Sequence, residues 1–230
     1  DNLATMTTLG KIFADAPRKL AVYVDLDCGH HRTGICPGEE AGELYKAITH
    51  APGLEAGGLH AYDGHNHEPD LKKRTKLCDG DFAPVLAFKE TLVSAGLMVP
   101  ELIAGGTPTF PIHAKYADRI CSPGTTTLWD FGYMDGLSDM DFEYAAVLFS
   151  RVISRPGSQR VCFDLGHKSV SADKPEPRVR MFGLESAQSV VHSEEHLMMQ
   201  CDHADDLKVG DGCYGVPVHI CPTVALHDHA

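Results

Sequence analysis

Residues 20–26 read Leu-Ala-Val-Tyr-Val-Asp-Leu, a nearly continuous apolar run with no wet side. A strand of that kind is covered on both faces, as in a parallel sheet flanked by helices. The pattern then repeats. Residues 39–50 form a helix with Ala41, Leu44, Tyr45 and Ile48 on one stripe, and residues 58–63 form a strand. A polar stretch rich in His, Asp and Lys leads into a helix over 81–95, stopped by Gly96. Strands at 102–104 and 119–122 follow, joined by an amphipathic link through 113–116. Ahead of all this, Leu3, Met6, Leu9 and Phe13 predict a helix over 1–16, capped by Asp1 and ended by Pro17. Strand, loop, helix, strand is the pattern of parallel α/β units, and parallel barrels carry their functional residues just after the strands.

After Gly136 the texture changes. Residues 144–153, 160–165, 178–182, 189–192, 207–209 and 214–223 read as strands divided by Gly, Pro and Asp turns. Two domains are expected, 1–140 of α/β type and 141–230 rich in β-strands. At 230 residues the chain can bury a sizeable core, and no apolar run approaches membrane-spanning length. A net charge of −12 argues against nucleic acid and anionic membranes as partners. The eight Cys show no Cys-x-x-Cys spacing, so they read as reduced thiols of a cytoplasmic protein. The fourteen His favour metal or acid–base chemistry.

The sharpest chemical signal is Gly-Val-Pro-Val-His-Ile-Cys-Pro-Thr at 215–223. On an extended chain His219 and Cys221 point the same way, and the Pro after Cys221 favours extension. Imidazole and thiolate together make half of a zinc site, leaving positions open for a substrate. The alternative is a core strand with one satisfied His and one buried Cys. A rival metal site is His60-Ala61-Tyr62-Asp63-Gly64-His65-Asn66-His67; the alternatives are a polar loop with ordinary solvated histidines and, between the two, a site-lining role for Tyr62 and His65. Arg32, between Gly29 and Gly34, can donate to an anion or a ring nitrogen, or be a solvated surface residue. Gly105-Gly106-Thr107 after a strand offers close backbone approach and a hydroxyl to a phosphate, and Ser122-Pro123-Gly124-Thr125 is similar. Asp164-Leu165-Gly166-His167-Lys168-Ser169 and Ser193-Glu194-Glu195-His196 either line the site near the metal or are exposed strand ends.

Taken in order, these motifs resemble the D-threonine aldolase and D-serine dehydratase-like family, from about Leu20 to the end. The resemblance implies an α/β fold: the C-terminal half of an alanine-racemase-type (β/α)8 barrel followed by a β-rich C-terminal domain. It implies pyridoxal 5′-phosphate as cofactor, with Arg32 facing the pyridine nitrogen, Tyr62 in the cofactor pocket, and Gly105, Gly106 and Thr107 at the phosphate. It implies that His219 and Cys221 bind the metal. Dehydratase-like members pair His with Cys and use zinc, whereas the better-known aldolases carry Asp in place of the Cys, so Zn2+ is expected ahead of Mn2+ or Mg2+. The family's cofactor lysine lies in an Arg-Pro-His-x-Lys segment that does not occur here, so the chain is expected to be truncated at its N-terminus and inactive alone. The implied function is a lyase for D-β-hydroxy-amino acids, aldolase-like, with His65 or a zinc-bound water as the base. The alternatives are a dehydratase-like deaminating lyase, a racemase-like or cofactor-binding protein, and an inert fragment. A homodimer is also implied by the resemblance.

Overall fold

The computed structural model describes all residues, Asp1–Ala230, which form two compact units, Asp1–Gly124 and Thr125–Ala230. The expected boundary at residue 140 falls after α5 (Phe131–Gly136) and before the first strand of the second unit.

In the first unit, β1 (Leu20–Leu26), β2 (Leu54–Ala61), β3 (Glu101–Ala104) and β4 (Ile120–Cys121) form a parallel sheet in that order. The helices are α1 (Leu3–Ile12), α2 (Glu39–His50), α3 (Leu71–Ser94) and the single turn α4 (Phe110–His113). Val24, Leu26, Leu59, Ala61, Leu102 and Ala104 of the strands share one core with Leu44, Tyr45 and Ile48 of α2. Each buried Val, Leu or Ile side chain among them contributes about 1.5–3 kcal/mol. Helix α1 is capped by Asn2, whose side chain accepts from the Thr5 N–H, rather than by Asp1, and it ends before Phe13 rather than at Pro17.

Helix α3 begins ten residues earlier than periodicity predicts, so Lys72, Lys73 and Lys76 lie on a helix and not in a loop. Asp70 caps it by accepting from the Lys73 N–H at 2.9 Å. Its buried stripe runs Arg74, Cys78, Phe82, Val85. The first two members are not apolar, and Arg74 is fully buried because Nη1 donates to the Glu68 carbonyl at 2.7 Å. A helical period carried by a guanidinium and a thiol is invisible to a search for apolar residues.

In the second unit six antiparallel strands run in the order β7-β10-β5-β6-β9-β8. They are β5 (Leu148–Ser154), β6 (Arg160–Phe163), β7 (Val179–Met181), β8 (Gln188–His192), β9 (Leu197–Gln200) and β10 (Gly212–Pro217). Val152, Val161, Phe163, Met181, Leu197 and Met199 meet in its core. Strand β9 has no counterpart in the sequence reading: it is four residues long, with only Leu197 and Met199 fully inward. Residues 207–209 are not a strand; they follow the 3-10 turn Ala204–Asp206. The predicted strand over 214–223 stops at Pro217, and α6 (Ile220–Val224) takes its place.

Gly58 sits in β2 at φ +143, where an added Cβ would collide with the Glu101 carbonyl of β3. Gly58→Ala is expected to destabilise the first unit by about 2 kcal/mol or more, read as a lower urea midpoint. An unchanged midpoint would contradict this account of the β2–β3 pairing.

Candidate active site

Because the four strands of the first unit are parallel, the loops at 27–34, 62–67, 105–109 and 122–124 all leave from one end of the sheet. The first is built on Asp27. Its Oδ1 accepts from the N–H groups of His31 at 3.0 Å and Gly29 at 2.9 Å, which hold its carboxyl down to about 2. This turn presents Arg32 at the surface, its guanidinium carbon 4.8 Å from the centre of the Tyr62 ring. His30 stacks on the same ring at 5.3 Å. Arg32 and Tyr62 share a small cleft with Asp25, Asp27, His30 and Thr33. All of Arg32's hydrogen-bond donors remain available to a ligand.

The histidines of 60–67 do not gather into a cage. His60 Nδ1 lies 2.7 Å from Asp25 Oδ1 on β1, and His65 Nε2 lies 3.1 Å from Asp81 Oδ2 on α3. His65 Nδ1 is enclosed and has no hydrogen-bond partner. In the third loop Gly105 takes φ +78, and its N–H donates to the Ala61 carbonyl at 2.9 Å. The Gly106 N–H donates to Asp63 Oδ1 at 3.1 Å. These two N–H groups are therefore used within the protein, and the glycines serve close approach instead: a Cβ on Gly106 would stand 2.9 Å from Tyr62 Cε2. Thr107 is buried beside them. Ser122 Oγ donates to the Gly105 carbonyl at 3.0 Å, joining the third and fourth loops. No lysine lies in any of the four loops; Lys89, for instance, pairs with Asp118 from α3.

In the second unit His219 and Cys221, the two residues expected to bind a metal, come together by a different geometry from the extended one predicted. His219 is extended, at φ −143, and is the N-cap of α6, while Cys221 lies in that helix's first turn. Pro222 is tolerated there because first-turn N–H groups have no helical acceptor. His219 Nδ1 lies 2.6 Å from Asp173 Oδ2, and Asp173 Oδ1 accepts from Ser171 Oγ at 2.7 Å. Thr223 Oγ1 donates to the His219 carbonyl at 2.7 Å and accepts from the Ser171 N–H at 3.2 Å. A hydrogen bond to Cys221, reinforced by Asp173, raises the pKa of His219; the same bond to His219, helped by Thr125, lowers that of the Cys221 thiol. Thr125 Oγ1 is 3.1 Å from Cys221 Sγ. One imidazole buttressed by a carboxylate and one thiol drawn toward thiolate form a donor set that fits zinc.

The sequence reading missed Asp173 and Asp130, whose Oδ2 accepts from the Ile220 N–H at 3.0 Å, and it grouped Thr125 with the phosphate loops and not with Cys221. Asp173 lies just past the 164–169 motif, and only the fold shows which histidine it meets. That motif itself pairs with 193–196: His167 N–H donates to the Ser193 carbonyl, and Lys168 Nζ lies 3.0 Å from Glu195 Oε1.

Residues 1–128 match the family of the alanine racemase N-terminal domain, and residues 145–230 match a serine dehydratase domain. The chain is 28% identical over 220 residues to a 3-hydroxy-D-aspartate aldolase of Paracoccus denitrificans (strain Pd 1222), covering 91% of this chain and 56% of the relative. It is 25% identical over 235 residues to a D-threonine aldolase of Arthrobacter sp, covering 99% of this chain and 61% of that protein. The crystal structure of a D-threonine aldolase from Filomicrobium marinum superimposes with a TM-score of 0.90 at 24% identity, over 99% of this chain and 63% of that one. The fold is therefore alanine-racemase-like, with a parallel-sheet unit followed by a β-rich one, and the chain spans little more than half the length of the curated relatives.

Two results are expected of the metal-free protein. At neutral pH Cys221, exposed and with its thiol pKa lowered, is alkylated by iodoacetamide before Cys28, whose thiol burial pushes up to about 12, and before buried Cys78. Peptide mapping that finds Cys28 modified first would contradict the assignment. Asp173→Ala is expected to weaken zinc binding about 10- to 100-fold by calorimetry.

Proposed function

The chain belongs to the alanine racemase N-terminal-domain family, and on that footing we propose that it is the cofactor- and metal-binding part of a lyase for D-β-hydroxy-amino acids. The observation that carries this reading is the His219–Cys221 pair braced by Asp173. A racemase has no use for an open-sided Lewis acid, whereas a lyase acting at Cβ needs one for the β-oxygen. The substrates of the relatives, 3-hydroxy-D-aspartate and D-threonine, are carried over on this basis.

When bound, pyridoxal 5′-phosphate supplies an electron sink and zinc supplies a Lewis acid. The first is assigned to Arg32, Tyr62, Gly105, Gly106 and Thr107, and the second to His219 and Cys221. Arg32 would hold the pyridine nitrogen as a donor, since a guanidinium only donates and is no acid at neutral pH. Tyr62 gives the ring an apolar wall held by Gly64 and Gly106. Asp173 fixes the ring of His219 through Nδ1, leaving Nε2 as the atom that would hold the ion. An imidazole and a thiolate favour zinc over Mn2+ or Mg2+, whose preferred ligands are oxygens. His65, oriented by Asp81 through Nε2, keeps an unpartnered Nδ1 that would be the acceptor for the substrate's hydroxyl proton. A cytoplasmic location suits eight free cysteines, and a homodimer is part of the same proposal.

A dehydratase is the second reading. It is favoured by the thiolate at position 221 and by the serine dehydratase match over residues 145–230.

The test is product analysis of the complete protein, loaded with cofactor and zinc, on D-threonine, 3-hydroxy-D-aspartate and D-serine. Glycine plus an aldehyde marks an aldolase; an oxo acid plus ammonia marks a dehydratase. Chelation should abolish turnover, zinc should restore it, and Cys221→Ala should lower kcat by about a hundredfold or more. Turnover indifferent to chelation, or racemisation alone, would contradict the proposal.

A further inference from the structure

Beneath the loop at 105–109 lies a chain of polar groups that neither the cofactor nor the metal assignment uses. Asp63 and His113 are fully buried. His113 Nε2 is 2.8 Å from Asp63 Oδ2, and Arg119 Nη1 is 2.8 Å from His113 Nδ1. A guanidinium only donates, so Nδ1 accepts and the ring proton sits on Nε2, directed at Asp63. The neutral ring thus links a buried carboxylate to a cation, and Phe82 holds it in place at 4.4 Å between ring centres. Burial by itself would raise the Asp63 carboxyl, but hydrogen bonds from His113 and Thr109 keep it below its ordinary value.

Asp63, Cys78 and His113 also bring together three atoms of the kind that ligate metals. The proton on Nε2 leaves His113 no lone pair for an ion on that side. The same logic closes the cluster of His167, Glu176 and His192: Arg178 Nη1 lies 2.9 Å from His167 Nε2 and 2.7 Å from Glu176 Oε1, so a guanidinium already holds the cation's place.

We infer that Asp63, His113 and Arg119 form a positioning relay that sets the seat of the cofactor's phosphate ester, an inference resting on the assignment of Gly105, Gly106 and Thr107 to that phosphate. Asp63 Oδ1 takes the Gly106 N–H and the Thr109 hydroxyl, so the carboxylate fixes the course of the loop from within. Gly106 in turn packs on Tyr62, so the same anchor fixes the ring that stands under Arg32. A buried carboxylate can hold this position because His113 passes it the stabilisation of a charge it does not touch. In the sequence, Asp63 sits in the 60–67 motif, but His113 and Arg119 belong to no motif, and nothing in the spacing links them to it.

The test compares binding of pyridoxine 5′-phosphate and pyridoxine to the whole chain by calorimetry, probes that need no lysine. The wild type should prefer the phosphate ester about tenfold or more. His113→Asn, which removes the donor at Nε2, should lower affinity for the ester about tenfold while leaving pyridoxine unchanged. His113→Gln, whose amide reaches the Nε2 position, should restore most of the preference. Should His113→Asn not fold, Thr109→Val removes a donor from the same carboxylate and should act in the same direction. A wild type without preference for the ester overturns the phosphate assignment and the relay with it. A wild type and a His113→Asn chain that prefer the ester equally overturn the relay alone. Parallel loss of both affinities marks a merely structural role and also overturns it.

Discussion

The Asp130 carboxylate is almost wholly buried and serves two helix starts at once. Oδ1 accepts from the Tyr133 N–H at the beginning of α5, and Oδ2 accepts from the Ile220 N–H at the beginning of α6. Ile220 lies between His219 and Cys221, so holding its N–H holds the backbone from which both side chains project. Burial raises the pKa of Asp130, but two first-turn N–H groups are the donors that best repay an ionised carboxylate. Gly132 makes the approach possible, since a Cβ there would collide with the Val218 carbonyl. Asp173 and Thr125 then orient the ring and the sulfur on a backbone that is already fixed.

The two units build chemistry differently. In the first, parallel strands deliver four loops to one end of the sheet, and glycines let those loops approach each other closely. Precision there comes from carboxylates accepting backbone N–H groups: Asp27 shapes the loop that carries Arg32, and Asp63 shapes the one that carries Gly106. In the second, a single residue pair just past β10 is aligned by side chains from the N-cap of α5 and from the segment before β7.

Much of this was legible in the sequence. The strand at Leu20–Leu26 and the helix at Glu39–His50 match prediction because each has an apolar pattern of one clear period. His219 and Cys221 also meet as predicted, but through a helix N-cap and not a strand. A spacing of two would separate the side chains inside a helix, and the pair meets here because His219, at the N-cap, is still extended. The start of α3 was hidden because Arg74 and Cys78 occupy positions where apolar residues were sought. Asp173, Asp130 and the Asp63–His113–Arg119 chain were hidden for another reason. Each acts on a residue 6 to 90 positions away, and only the fold brings them within hydrogen-bond reach.

The central claim is that His219 and Cys221 are one soft-metal site, and cobalt substitution tests it most directly. The protein loaded with one equivalent of Co2+ should show an intense near-ultraviolet thiolate-to-cobalt charge-transfer band, and Cys221→Ser should abolish it while the variant stays folded. A band that persists in Cys221→Ser, or a cobalt-loaded wild type without one, would contradict the account.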